Sequence, residues 1–143
     1  MVRNYSYMFV TKYFVDDICM SNKPTDAELK VLQILWKDGP QTVRFVNDCL
    51  NVSKKVGYTT TLKIMQIMLE KNMLKRRSEG RTHVYAPVEE QEETQKLLIK
   101  RMVDTAFNGS ASRLVMQALG NYKASPEELK EIKDLISKME EDE

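Results

Sequence analysis

The side chains of this chain best suited to meeting an anion lie between Ser53 and Tyr85. There Lys54, Lys55, Lys63, Lys71, Lys75, Arg76, Arg77 and Arg81 stand against Glu70 and Glu79, eight cations to two anions and a net of +6, while all 143 residues together carry only +1. Charge concentrated in this way is the electrostatic footprint of phosphate binding. Thr59, Thr60 and Gln66 add short polar groups whose hydroxyls and amide reach base edges as well as phosphate oxygens. The set expected at nucleic acid is Thr42, Lys54, Lys55, Tyr58, Thr59, Thr60, Lys63, Gln66, Lys75, Arg77 and Arg81. A solvated polar face would use the same residue types, so the elements that carry them must decide.

Other chemistries find little footing. His83 is the only histidine and has no neighbouring ligand residues, and the chain holds neither a nucleophile elbow nor a phosphate-cradling glycine loop. No enzyme, cofactor or metal centre is expected. Cys19 and Cys49 do not make a disulfide framework; Cys49, on an apolar helical face, reads as a buried thiol, and a reducing cytoplasm fits. No apolar run approaches the roughly 20 residues of a membrane span, so no membrane insertion is expected. An apolar content of 42% is enough for a real core.

The polar donors need a rod to present them. Thr59 to Lys71 can form about 13 residues of helix, roughly 20 Å long, which suits a major groove. Thr61, Ile64, Met65, Met68 and Leu69 recur at three- and four-residue spacing and should face a core, leaving Thr59, Thr60, Lys63, Gln66 and Ile67 outside. Upstream, Thr25-Asp26-Ala27-Glu28 is a capping box; Leu29, Leu32, Leu35 and Trp36 then share a face, and Asp38-Gly39-Pro40 ends the helix. Thr42 caps a second helix with Val43, Val46, Cys49 and Leu50 on one side. Downstream, Leu74–Ser78 and Thr82–Ala86 flank Glu79-Gly80-Arg81 and read as a hairpin, ended by Pro87. Three helices and a two-stranded wing over residues 23–87 predict a winged helix-turn-helix.

From residue 88 to 143 the pattern is helical again, so the fold class is mainly α. A helix over Glu89–Phe107 places Leu98, Met102, Val103 and Ala106 together and closes at Asn108-Gly109; Ser110 caps a second with Leu114, Val115, Ala118 and Leu119. Ser125-Pro126-Glu127-Glu128 starts a third with Leu129, Ile132, Leu135, Ile136 and Met139. Each apolar side chain left in water forfeits about 1.5–3 kcal/mol, and three such stripes enclose little core. A second copy of the chain is the simplest partner. The dimerisation set is Leu98, Met102, Phe107, Leu114, Val115, Leu119, Leu129, Ile132 and Ile136. Residues 1–22 read as a flexible N-terminal extension, with Met20 an alternative start, and Glu140–Glu143 as a solvated acidic tail.

In this order, Thr25-Asp26-Ala27-Glu28-Leu29 through Leu35-Trp36, Gly39-Pro40-Gln41-Thr42-Val43-Arg44, Tyr58-Thr59-Thr60-Thr61, Gly80-Arg81-Thr82-His83-Val84-Tyr85-Ala86-Pro87 and Asn108-Gly109-Ser110 resemble the penicillinase-repressor family, the BlaI/MecI regulators and their copper-responsive CopY-type relatives. The resemblance implies a dimeric repressor on palindromic operator DNA, with Thr59, Thr60 and Lys63 in the operator-reading helix and Arg81 in the wing. It also implies relief by a membrane sensor protease that cuts within the helix matching Leu97–Phe107. The bond matching the family's Asn-Phe cut is Arg101-Met102 here. Asn72 stands where the family has Gly after the reading helix, and Asn tolerates the left-handed backbone that the turn needs. The paired C-terminal cysteines of copper-responding members are absent, which disfavours copper sensing. The alternative is a winged-helix module that binds an acidic protein instead of DNA.

Overall fold

In the computed structural model, which describes residues 23–142, the first helix starts where its cap predicts. The Thr25 hydroxyl accepts from the Glu28 N–H at 3.2 Å and Glu28 Oε2 accepts from the Thr25 N–H at 2.9 Å, so two orphan donors are satisfied at once. Helix α1 runs Asp26–Asp38 and stops at Gly39, whose φ of 77° needs a residue without Cβ and whose N–H donates to the Leu35 carbonyl. Helix α2, Val43–Asn51, is capped by Thr42, which accepts from Phe45 N–H at 3.3 Å. Helix α3 spans Tyr58–Glu70, one residue earlier at each end than the periodicity suggested.

Helix α3 ends in a Schellman motif: Met73 N–H donates to the Met68 carbonyl and Asn72 N–H to Leu69, with Asn72 at φ 58°. The asparagine therefore holds the left-handed position. Strands β1, Leu74–Glu79, and β2, Thr82–Pro87, pair antiparallel with Glu79 opposite Thr82, and each is one residue longer than the sequence suggested. Only Gly80-Arg81 remains as the turn, and φ is positive at Gly80 but not at Arg81, as a type II′ turn requires. Pro87 takes the last pair, opposite Leu74, a place that tolerates a residue without an N–H. A feature absent from the sequence reading is a third, one-residue strand: Gln41 exchanges hydrogen bonds of 3.0 and 2.9 Å with Tyr85. It ties the wing to the α1–α2 loop.

These elements enclose one core. Val31, Leu35, Val46, Met65, Met68, Leu74 and Tyr85 are almost completely buried, each stabilising the fold by about 1.5–3 kcal/mol. Val31 was not among the positions expected inside, yet it is as buried as any of them; Cys49 is half-buried, less than expected, and Cys19 lies outside the described residues. Beyond the wing the chain is stitched back by Val88 N–H to the Met73 carbonyl, 3.0 Å, and by Trp36 Nε1–H to the Glu89 carbonyl, 3.0 Å.

The remaining helices are α4, Gln91–Thr105, α5, Ala111–Asn121, and α6, Pro126–Glu141. The chain divides into two compact units, one ending at Lys96 and the other starting at Leu97. Helix α4 is two residues shorter at each end than Glu89–Phe107, and Asn108 at φ 51° with Gly109 at φ 83° reverse the chain after its C-terminal end. Ser110 caps α5 through Arg113 N–H, and Ser125 with Glu128 forms a second complete capping box for α6, with Pro126 in its first turn. Lys96 donates to Glu92 and Glu93 at 3.0 and 3.1 Å, and those carboxylates hold its ammonium above the usual lysine range. None of the three helices buries a residue. The proposed extension, residues 1–22, lies outside the described residues.

Candidate nucleic-acid interface

Helix α3 divides as its spacing predicts. Thr61, Met65 and Met68 are fully buried, Leu62, Ile64 and Leu69 are half-buried against the same core, and Tyr58, Thr59, Thr60, Lys63, Gln66 and Ile67 are exposed. The inner face gives the helix a fixed seat; the outer face is a row of donors on a rigid rod. Its start has Gly57 as N-cap with no side-chain hydrogen bond, so the free N–H groups of the first turn remain available. Lys54 and Lys55 are exposed in the turn immediately before it. Thr42 is half-buried with its hydroxyl oxygen engaged as the α2 cap, which leaves its O–H proton to donate.

On the other side of α3 the wing supplies the rest. Strand alternation puts Lys75 and Arg77 on one face of β1, and Arg81 occupies the turn; all three are exposed. Arg77 donates to Glu79 at 2.7 Å, an exposed pair whose charge a phosphate can claim. Ser78 and His83 face each other across the strands with Oγ and Nδ1 3.3 Å apart. Lys71, counted in the +6, is committed elsewhere: its Nζ is 2.7 Å from Oε1 of the buried Glu28. Glu28 thus serves the α1 cap with one oxygen and the C-terminal end of α3 with the other.

Two residues that sequence reasoning passed over control how α3 is held. Asn47 is buried on the side of α2 that also carries Val43, Val46 and Leu50, and its side chain donates to Thr61 Oγ1 and to the Val56 carbonyl. Asn51 brackets Val56 from both of its polar backbone atoms. The available signal was an asparagine at apolar spacing, since a polar group there must find partners when buried.

In the C-terminal helices the expected dimerisation residues split by exposure. Leu98, Phe107, Leu114 and Ile132 are half-buried, whereas Met102, Val115, Leu119, Leu129 and Ile136 remain exposed, joined by Met116 at 73% and Leu135 at 59%. Arg101 and Met102 lie within α4, and one guanidinium nitrogen of Arg101 is buried without a hydrogen-bond partner among the described residues. Among the described residues there is no cluster of His, Cys, Asp or Glu placed to hold a metal, and no helix is long and apolar enough to cross a membrane.

Comparison with known proteins follows the same lines. The profile of the penicillinase repressor family matches residues 24–138. The chain is 33% identical over 98 residues to the transcriptional regulator BlaI of Mycobacterium tuberculosis, covering 68% of this chain and 69% of that one. It is 24% identical over 112 residues to the penicillinase repressor of Bacillus licheniformis, covering 78% of this chain and 88% of that one. Among solved structures, a transcriptional regulator from Thermotoga maritima aligns over 97% of both chains with a TM-score of 0.50 and 14% identity, a likeness of fold.

Proposed function

Because this chain belongs to the penicillinase repressor family, we propose that it represses transcription as a homodimer whose two winged-helix heads, residues 23–87, bind the half-sites of a palindromic operator. The observation that carries the reading is the outer face of α3, Thr59, Thr60, Lys63 and Gln66, mounted on a helix whose opposite face buries Thr61, Met65 and Met68. In this reading Thr59, Thr60 and Lys63 meet base edges, Lys54, Lys55, Lys75, Arg77 and Arg81 meet phosphates, and Thr42, Tyr58 and Gln66 complete the contact surface. Residues 88–143 form the dimerisation region. Support comes from α4 to α6, where Met102, Val115, Leu119, Leu129 and Ile136 are exposed in the single chain.

Relief of repression follows from the same layout. A cut at Arg101-Met102 by a membrane sensor protease would separate the heads from α5 and α6 and return them to single half-site binding. The bond lies inside α4, so the protease must unwind that helix to reach it. The protein works where its DNA is, in the cytoplasm.

The test starts with a random-sequence duplex pool and the full chain. It should enrich a palindromic duplex, and titration at several salt concentrations should show affinity falling by about 0.9 log units per log unit of salt for each neutralised phosphate. No enrichment, together with a flat salt response, would turn the reading toward the alternative, a module that binds an acidic protein.

A further inference from the structure

The turn that leads into α3 is held by a closed set of hydrogen bonds centred on Asn47, which is 8% exposed. Its amide nitrogen donates to the Val56 carbonyl at 3.0 Å and to Thr61 Oγ1 at 2.9 Å, and its oxygen accepts from Asn51 Nδ2 at 3.2 Å. Asn51 closes the ring: its Nδ2 donates to the Val56 carbonyl at 3.1 Å and its Oδ1 accepts from the Val56 N–H at 2.8 Å. A backbone N–H can only donate and a carbonyl can only accept, so these partners dictate the orientation of both amides. Thr61, fully buried on the inner face of α3, accepts from Asn47 and points its own proton toward the Gly57 carbonyl, 3.5 Å away.

Val56 and Gly57 are the two residues before α3, and Gly57 has no side chain with which to hold the helix start. The far end of α3 is secured separately, by Glu28 and Lys71 at 2.7 Å. Breaking the bonds of Asn47 therefore loosens the start of α3, leaving it tied through the two bonds between Asn51 and Val56, while the far end stays seated.

We propose that Asn47, acting with Thr61, is a positioning residue for sequence discrimination: without touching DNA it sets where the first turn of α3, with Thr59 and Thr60, meets the bases. Base-edge hydrogen bonds demand placement within about 0.5 Å, whereas long, flexible lysine side chains follow a phosphate through small displacements. Loosening the helix start removes discrimination before it removes affinity. The inference rests on the DNA-binding reading above.

The test uses full-length Asn47→Leu, Thr61→Val, Thr61→Ser and the double variant N47L/T61V. The double variant replaces both partners by apolar groups of similar shape, which avoids leaving a buried donor unpaired, so it keeps the fold. Affinities are measured for the duplex enriched from the random pool and for a permuted duplex of equal composition, alongside thermal melts. In Asn47→Leu and in the double variant the ratio of the two affinities should fall about tenfold or more, the worth of roughly one base-edge contact, with the affinity for the permuted duplex and its salt slope unchanged. Thr61→Ser, which keeps the acceptor, should hold the ratio, and Thr61→Val should lower it. A folded double variant with the original ratio, or affinities for both duplexes that fall in parallel with the melting temperature, would overturn the proposal. Failure of the unaltered chain to enrich any duplex would instead remove the DNA-binding reading, and the proposal with it.

Discussion

Helices α1 and α6 begin alike. Each has a hydroxyl at the N-cap, Thr25 or Ser125, and a glutamate three residues on, Glu28 or Glu128, whose carboxylate returns to the cap N–H. What they bury is opposite: α1 sinks Val31, Leu32 and Leu35 into the head, while α6 buries nothing and leaves Leu129, Leu135, Ile136 and Met139 in solvent. Local chemistry decides where a helix starts, but an interior exists only where several apolar faces converge, and in the head α1, α2, α3 and the wing supply them. Charge divides the chain too. From Glu89 to Glu143 there are 13 acidic and 8 basic residues, a net of −5, against +6 for Ser53–Tyr85. One half concentrates positive charge, and the other leaves apolar side chains exposed.

The strongest way to break that comparison is to separate the halves. A fragment ending at Pro87 keeps the head core and should sediment as a monomer. Binding a second half-site within one dimer raises avidity by about 10²–10⁴, so the fragment should hold a palindromic duplex at least a hundredfold more weakly than the full chain. A fragment that dimerises, or binds as tightly, would show that the C-terminal helices are not what joins the heads.

Truncation of single side chains sharpens the contrast. Leu35→Ala, in the buried core, should lower head stability by about 2–5 kcal/mol in a denaturant titration. Ile136→Ala, on α6, should leave that transition in place and shift the monomer–dimer equilibrium toward monomer. If Ile136→Ala destabilises a dilute, monomeric sample as much as Leu35→Ala does, the exposed stripe has a partner within its own chain.

Within the head, Lys63→Ala should cost about 1–3 kcal/mol of operator binding and relax base preference, whereas Arg81→Ala should weaken all duplexes alike and reduce the salt slope by about one. Titrations on the enriched and permuted duplexes separate the two patterns, and unchanged binding in both variants would sink the interface assignment. The smallest effect is expected from the caps. Thr25→Ala should cost the head about 1 kcal/mol, while Ser125→Ala should fray α6 and appear only in dimer dissociation. A cap effect of equal size on the head melt in both variants would contradict the division.

Most of this organisation was legible because it is written in short-range patterns. The capping boxes at Thr25 and Ser125, the left-handed Asn72 and the outer face of α3 all depend on residues within a turn or two of each other. Contacts between distant residues had no such signature. The Gln41–Tyr85 bridge, the pairing of Glu28 with Lys71 and the bond from Asn47 to Thr61 join residues 44, 43 and 14 positions apart. Val31 lacks such a signature for a related reason: the three- and four-residue spacing runs through the leucines and Trp36, but α1 is covered on two sides, by α2 and α3 and by β2, so its buried arc is wider than a single stripe.

The Gln41–Tyr85 bridge also changes which border of the wing is open. Strand β2 has β1 on one side and Gln41 on the other, so the row of unpaired backbone donors and acceptors along the described wing belongs chiefly to β1. That row is lined by Lys75, Arg76 and Arg77, and like charges in register repel another strand that tries to add to it. Lys75 and Arg77, which the proposed function places at phosphate, thus also act with Arg76 as gatekeepers when no nucleic acid is present. A chain with all three replaced by serine should scatter light at concentrations where the original chain stays clear, through self-association rather than unfolding.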